Sequence, residues 1–167
     1  LFVVSDSEHS TGSIGLYCWQ NIDARFSNIR VFPSVLAFSD WLLDESFTTL
    51  DLGRWSFIDE GTIDGPSQWV VSRNRLSQTS SIRSITDSDS DLERPGTYAI
   101  AGDTTWSDYR FTTRLESGSQ NAIGVIFRYE NPNNYYHFTM DRNAGYRRLL
   151  KKVAGASTVL WEDSQVF

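Results

Sequence analysis

The sequence has a single cysteine and only two histidines, and these shortages exclude several kinds of protein. One cysteine, Cys18, cannot form a disulfide within the chain. It lies in an apolar stretch and is predicted to be a small core residue. The histidines, His9 and His137, have no companion cysteine or serine at a spacing typical of a nucleophile and its base. The sequence therefore indicates no enzyme that depends on such a pair.

Long hydrophobic runs are also absent. No stretch approaches the roughly 20 apolar residues of a membrane helix. The start, LFVVSD, is apolar but lacks a basic leader and an initiating methionine. No signal peptide is recognised in it, and the chain is expected to be a fragment or a processed product.

The chain lacks an excess of positive charge, since its net charge is −6. An acidic chain is a poor candidate for non-specific nucleic-acid binding. The charge is unevenly spread, because residues 110–152 contain eight basic and three acidic side chains and carry +5. Ordinary charged strand faces are the simpler interpretation of this segment.

Aromatic residues, by contrast, make up 14% of the 167 residues. Short apolar or alternating segments recur about every 8–12 residues between turn signals, which predicts an all-β sandwich or barrel of antiparallel strands. A β-bulge near residues 27–28 would repair the imperfect alternation of 24–32. The stretch 33–54 is predicted to be a linker, and the spacing of its apolar residues allows one short helix near 40–47. The predicted strands are 1–6, 13–19, 24–32, 55–61, 67–74, 75–82, 97–102, 108–117, 122–130, 134–142, 146–154 and 157–167.

Alternation along the central strands predicts a candidate ligand-binding face. One side of each strand is apolar and is expected to pack in the core. In 122–130 this side carries Ile123, Val125, Phe127 and Tyr129. If the strands are neighbours, the other side places basic and aromatic groups on one exposed face. Arginine offers forked donors and tyrosine a flat apolar plate, which suits polar ligands such as sugars. A solvated face with cross-strand pairs is the alternative. The predicted ligand-binding residues are Arg110, Arg114, Arg128, Tyr135 and His137.

An acidic loop, DSDSDLE, is the candidate metal site. Its carboxylates stand at alternate positions, and hard oxygen ligands suit Ca²⁺. The loop lacks the glycine at the sixth position and the closing glutamate at the twelfth of an EF-hand, where Tyr98 stands. A solvated loop without metal is the alternative. The predicted calcium ligands are Asp87, Asp89, Asp91 and Glu93.

Two carboxylate doublets, Asp59–Glu60 and Glu162–Asp163, were considered as acid pairs of a glycosidase. Adjacent residues on a strand point to opposite faces, so neither doublet alone forms such a pair. An enzyme is therefore not the favoured interpretation.

Several segments carry a family resemblance. The blocks GTYAIAGDTTWSDYRFTTRLES, IGVIFRYENPNNYYHF, YRRLLKK and GSIGLYCWQNIDARFSNIRV resemble the concanavalin A-like, laminin-G-like jelly roll. They are most similar to modules repeated in large bacterial extracellular proteins. The similarity covers about residues 55–160 and 1–32. It implies a jelly-roll β-sandwich, and related jelly rolls often carry a structural calcium.

The resemblance also implies an unusual chain order. In such modules the hairpin that matches residues 12–31 comes last, whereas here it comes first. Residues 1–32 are thus interpreted as the closing strands of a jelly roll, 33–54 as the linker and 55–167 as the main part. The hairpin could close a preceding module of a tandem array, fold back on its own permuted sheet, or be donated to the next copy. Array or head-to-tail assembly is favoured, because two strands of the usual module are missing and unpaired edges invite a neighbour's strand.

The function expected from this resemblance is that of a non-enzymatic module outside the cell or on its surface. Its role would be structural assembly, adhesion or carbohydrate binding. Its partners would be neighbouring copies or modules and a glycan, without nucleic acid or a membrane span. The alternative is a glycan-processing hydrolase, an activity found in some proteins of this fold.

Overall fold

Two antiparallel β-sheets pack face to face in the computed structural model of the chain, which describes residues 2–34, 41–49, 52–85 and 92–164. The all-β sandwich predicted from the strand pattern is confirmed, and two such sheets are compatible with a jelly roll. None of the described residues lies in a helix, so none belongs to a helix long and apolar enough to cross a membrane. The strands are β1 (Ser13–Cys18), β2 (Ala24–Pro33), β3 (Leu43–Glu45), β4 (Trp55–Asp59), β5 (Trp69–Ser72), β6 (Arg75–Gln78), β7 (Thr97–Ala101), β8 (Tyr109–Ser117), β9 (Ile123–Asn131), β10 (Asn134–Asp141), β11 (Tyr146–Val153) and β12 (Ala156–Asp163).

The hairpin predicted within residues 12–31 is wrong, because its two strands do not pair with each other: β1 lies inside the seven-stranded sheet and β2 inside the five-stranded sheet. The seven-stranded sheet runs β12-β11-β10-β9-β1-β7-β4, with β1 between β9 and β7. In the five-stranded sheet β8 lies along one side of β2, while β6 and β3 share the other side and β5 pairs with β6. The strands within 1–32 therefore pair with strands of the same chain, as in a permuted module. Head-to-tail assembly through exchange of these strands stays a prediction.

The inter-sheet core follows from strict alternation of apolar side chains. Ile14, Leu16 and Cys18 point inward from β1 and are fully buried. Phe26 and Val31 do the same from β2, across a bulge between Ser27 and Arg30. Both the predicted bulge and the core position of Cys18 are thus confirmed. Burial raises the pKa of the Cys18 thiol, so it stays protonated and unreactive.

Residues 2–9 cover the inner face of the seven-stranded sheet where the other sheet does not reach. Phe2 stacks on Trp161 at 3.8 Å between ring centroids. His9 Nε2 lies 2.8 Å from the carbonyl oxygen of Lys152. Residues 2–6 form no strand, so the strand predicted for 1–6 is replaced there by side-chain contacts.

The helix allowed near 40–47 is wrong for the described residues 41–47. They contain β3, whose Leu43 pairs with Val31 of β2. Strand β6 pairs only with residues 24–26 of β2, so the rest of that edge needs another hydrogen-bonding partner. Leu43 and Phe47 are buried in the inter-sheet core from this position.

Candidate functional site

The five residues predicted to share one exposed face lie in three places. Arg110 and Arg114 project from the exposed outer face of the five-stranded sheet. Arg128 lies on β9, while Tyr135 and His137 lie on the outer face of the seven-stranded sheet, 5% and 8% exposed. The strand order explains this, because β8 pairs with β2 rather than with β9. The prediction that these five residues share one face is therefore wrong. That each of them contacts a ligand stays a prediction.

A bulge in β9 interrupts the alternation at Arg128, so its side chain follows neither face of the sheet. The backbone of Arg128 is left-handed, with φ 52°, and its N–H donates to Tyr109 Oη at 2.8 Å. Its guanidinium lies over the Tyr109 ring, 5.6 Å from the centroid. Gly12 permits this packing, since a Cβ there would stand 2.1 Å from the Arg128 carbonyl carbon. The bulge also moves Tyr129 out of the inter-sheet core, where alternation placed it, into a cluster on the outer face.

Tyr135 belongs to a buried polar cluster on that outer face. Glu60 Oε1 lies 3.4 Å from the hydroxyls of Tyr98 and Tyr135 and 3.3 Å from Lys152 Nζ. Burial, and then the Glu60 carboxylate, raises the pKa of both tyrosines, so their hydroxyls stay protonated. The adjoining cavity measures about 10 Å³, room for one water-sized molecule. These rings consequently present no open plate for a sugar.

The outer face of the five-stranded sheet gathers arginines from three strands and one turn. Strand register puts Arg25 beside Glu116 and Ser77, and Arg110 beside Phe32. Six arginines and three carboxylates give this surface a charge of +3, while the whole chain carries −6. The rest of the molecule therefore carries −9. We call this surface the arginine face; its charged members are Arg25, Arg30, Arg73, Arg75, Arg110, Arg114, Asp23, Asp44 and Glu116.

Ion pairs on the arginine face leave most of its donors available. The pairs are Arg25–Asp23 at 2.7 Å, Arg30–Asp44 at 3.6 Å, Arg75–Glu116 at 3.1 Å and Arg114–Glu116 at 3.0 Å. Each guanidinium has five N–H donors, more than one carboxylate engages. Arg73 and Arg110 form no ion pair with any described residue. Exposed pairs of this kind contribute little to stability, so an anionic ligand can replace a carboxylate as the partner of an arginine.

One end of the arginine face carries an exposed aromatic group. Trp41 is 51% exposed, and its ring meets Phe32 edge-on at 5.6 Å between centroids. The guanidinium of Arg30 lies 5.5 Å from the Trp41 ring centroid, and that of Arg110 lies 5.3 Å from the Phe32 centroid. We call these four residues the Trp41 corner. It joins a flat apolar plate to two sets of forked donors.

The predicted calcium site is mostly untested. Asp87, Asp89 and Asp91 lie outside the described residues. Glu93 Oε2 is 3.4 Å from Lys152 Nζ, so it already has a cationic partner. Within the described ranges no group of three or more histidine, cysteine, aspartate or glutamate side chains is arranged to hold a metal ion. Calcium binding stays a prediction.

The carboxylate doublet Glu162–Asp163 is engaged by arginines. Glu162 Oε2 accepts from Arg148 Nε at 2.5 Å. Asp163 pairs with Arg147 through both of its oxygens. The two arginines are adjacent residues of β11, each paired with one carboxylate of β12. The two carboxylates therefore do not face one another, as expected for adjacent strand residues.

The sequence reasoning missed six arginine and aromatic residues of the arginine face: Arg25, Arg30, Phe32, Trp41, Arg73 and Arg75. The alternation of β2 places the first three on one side of that strand once the bulge is allowed for. Their partnership with Arg110 and Arg114 depends on the pairing of β2 with β8, which no local pattern reveals. Trp41 was assigned to a linker, and in the structure it precedes the three-residue strand β3 without belonging to it.

Comparison of the chain with protein-family models, with curated proteins and with solved structures finds no match.

Proposed function

We propose that this chain is a non-enzymatic extracellular module that binds carbohydrate and supports adhesion, with its ligand lying across the arginine face. The observation that carries the proposal is the Trp41 corner. A half-exposed tryptophan ring stands there beside two guanidinium groups, on a surface whose charge is opposite to that of the rest of the molecule.

The chemistry of the corner suits a sugar polymer. Aromatic rings present broad apolar surface with a defined geometry, and sugar rings have apolar C–H faces that pack on such a plate. Guanidinium groups donate paired hydrogen bonds, which suit the acceptors around a sugar ring. Phe32 and Arg110 lie side by side in the corner, because they are directly paired residues of β2 and β8.

Two other roles remain open as proposals. Structural assembly in a tandem or head-to-tail array would use the sheet edges and the strands within residues 1–32, and its partners would be neighbouring copies. Calcium would stabilise the acidic loop in such an array. A glycan-processing hydrolase would need two carboxylates facing one bond. The arginine face supports binding better, because each of its three carboxylates already contacts an arginine within 3.6 Å.

Replacing Trp41 with alanine should weaken polysaccharide binding at least tenfold, because the stacking plate is lost while the sheet stays intact. Central aromatic residues commonly dominate a binding surface in this way. The measurement is the dissociation constant for immobilised polysaccharides of varied composition. Val159→Ala is the matched control, since Val159 is also a partly exposed apolar residue (37%) but lies on β12 of the other sheet.

Three outcomes would contradict this function. Unchanged binding of Trp41→Ala would remove the corner as the contact surface. Release of reducing ends from a bound polysaccharide would favour a hydrolase. Failure to bind any polysaccharide, together with concentration-dependent growth in light scattering, would favour structural assembly.

A further inference from the structure

A second feature of the arginine face is a pocket of about 250 Å³ at the end opposite the Trp41 corner. Its lining residues are Arg25, Ser72, Arg73, Arg75 and Ser77. All five carry hydrogen-bond donors, and none is acidic. Register confirms that they share one side of the sheet, because Arg25 pairs with Ser77 and Ser72 pairs with Arg75.

The pocket is held in shape by its surroundings. Arg73 and Asn74 have φ of 53° and 58°, values of a tight two-residue hairpin turn that joins β5 to β6. Asp23 holds Arg25, and Glu116 holds Arg75, each from outside the lining. Both ion pairs are partly exposed, so they favour an orientation of the two guanidinium groups without immobilising them.

The charge of the pocket selects an anion. Three guanidinium groups border this open depression, whose volume of about 250 Å³ is smaller than the roughly 300–1,000 Å³ of sites for drug-sized ligands. Such a space fits one charged substituent or one sugar unit rather than an oligomer. Serine hydroxyls beside guanidinium groups are good donors to sulfate or carboxylate oxygens, and arginine binds these planar or tetrahedral anions through paired bonds.

The distance between the pocket and the Trp41 corner can be spanned by one polymer chain. Arg25 and Phe32 pair with Glu116 and Arg110, which are six residues apart on β8, and this corresponds to about 20 Å at the usual rise of ~3.3 Å per strand residue. Arg114 and Arg30 lie between them along the same face. A single polymer crossing the sheet can therefore contact the corner with its sugar rings and the pocket with a charged substituent.

We infer that the ligand of this module is an acidic polysaccharide, one of whose sulfate or carboxylate groups binds in the pocket formed by Arg25, Ser72, Arg73, Arg75 and Ser77. This inference rests on the carbohydrate-binding function proposed above and adds the chemical class of the ligand. Nucleic acid is the competing polyanion, and the test includes it as a separate arm.

The test compares dextran, dextran sulfate and carboxymethyl dextran as ligands of matched length, with single-stranded DNA as a further arm. Dextran sulfate or carboxymethyl dextran should bind at least tenfold more tightly than dextran, and the advantage should shrink as salt concentration rises. Arg73→Gln should weaken binding of the charged polymer about tenfold and leave binding of dextran unchanged. The dextran sulfate and carboxymethyl dextran arms distinguish the two anion classes.

The matched control is Arg54→Gln, which removes the same charge from the turn before β4 in the other sheet. It should change neither affinity. Arg73 is an exposed turn residue, so its replacement is not expected to unfold the protein, and thermal melts of both variants check this.

The outcomes separate this inference from the proposed function. Equal binding of dextran and its charged forms, with Trp41→Ala still weakening both, would overturn the acidic ligand and keep the carbohydrate function. Equal losses in Arg73→Gln and Arg54→Gln would show a diffuse charge effect and overturn the pocket. Tighter binding of DNA than of any polysaccharide would overturn both proposals.

Discussion

Replacing Asp141 with asparagine should lower the free energy of unfolding by about 3–5 kcal/mol, the usual cost of removing one partner of a buried ion pair. Asp141 is fully buried, and its Oδ2 lies 2.5 Å from Nη1 of Arg94, whose side chain is 2% exposed. Its other oxygen accepts the Ala144 N–H at 2.9 Å. Asparagine keeps the shape but removes the negative charge that lies against the buried Arg94 guanidinium.

The effect should reach beyond the pair, because Arg94 attaches the loop before β7 to the outer face of the seven-stranded sheet. Its guanidinium lies 4.4 Å from the Trp19 ring centroid and 5.7 Å from that of Tyr146. The carbonyl oxygen of Arg94 also accepts a hydrogen bond from Tyr17 Oη at 2.5 Å. Losing the pair therefore loosens the cover over the tyrosine cluster.

Urea denaturation measures this change, with Asp44→Asn as the control. The Arg30–Asp44 pair spans 3.6 Å between side chains that are 52% and 45% exposed. Its loss should cost about 1 kcal/mol or less, as for most surface pairs. A cost below about 1 kcal/mol for Asp141→Asn would contradict the buried, charge-paired arrangement.

The protein should also lose several kcal/mol of stability as pH falls from about 6.5 towards 3, because His137 is buried in its neutral form. Its ring packs edge-on against Tyr17 at 4.0 Å between centroids. Burial, followed by the nearby charges of Lys152 and Arg148, lowers the pKa of His137 to about 3. An unfolded histidine takes up a proton near pH 6.5, whereas the folded one does not.

The sign of this effect follows from proton uptake. Between the two pKa values the unfolded state binds one more proton, so stability present above pH 6.5 is lost at up to about 1.4 kcal/mol per pH unit. The total is about 5 kcal/mol at most. A separate loss follows below pH 3.8, because hydrogen bonds from Lys151 and Tyr136 lower the pKa of Asp6 to about 2.

His137→Gln isolates the histidine contribution. Denaturation curves at several pH values should show that this variant lacks most of the decline between pH 6.5 and 4 but keeps the decline below 4. His9→Gln, at the other histidine of the sequence, should keep the part of the decline that belongs to His137. If His137→Gln declines as steeply as the wild type, His137 is not the buried neutral group that the structure shows.

The sequence was sufficient to predict most strands, because each strand carries its own alternation and its own turn signals. The bulge in β2 and the buried position of Cys18 could be predicted for the same local reason. The bulge in β9 could not, because the residue whose close approach it accommodates, Gly12, lies over one hundred residues earlier in the chain. Tyr129 was placed on the wrong face as a result.

The candidate site depended on information that local patterns lack. Alternation assigned Arg110 and Arg114 correctly to one side of β8, but it did not say which strand lies beside them. The partner is β2, whose Arg30 pairs with Thr112, and this places the arginines of two distant segments on one surface. Tyr135 and His137 have the same alternation signal, yet Arg94 and Glu60 cover their face from loops.

The pairing partners of residues 12–31 could not be predicted from local patterns either. Their resemblance to a closing hairpin was visible in the sequence, but the choice between this chain's own sheet and a neighbour's required pairing across the chain. In the structure β1 forms two ladders, one with β7 and one with β9, and all six of its residues are buried. A strand so placed lies inside its sheet rather than at an edge.

The role of the arginine face is tested most directly by mapping a bound ligand on it. Backbone amide shifts of the ¹⁵N-labelled chain, followed during titration with a dextran sulfate oligosaccharide, give that map. The largest changes should fall on β2, β6 and β8, around Arg25, Arg30 and Arg110, and on Trp41. Changes concentrated instead on β9 to β11, around Tyr135 and His137, would contradict the proposed surface.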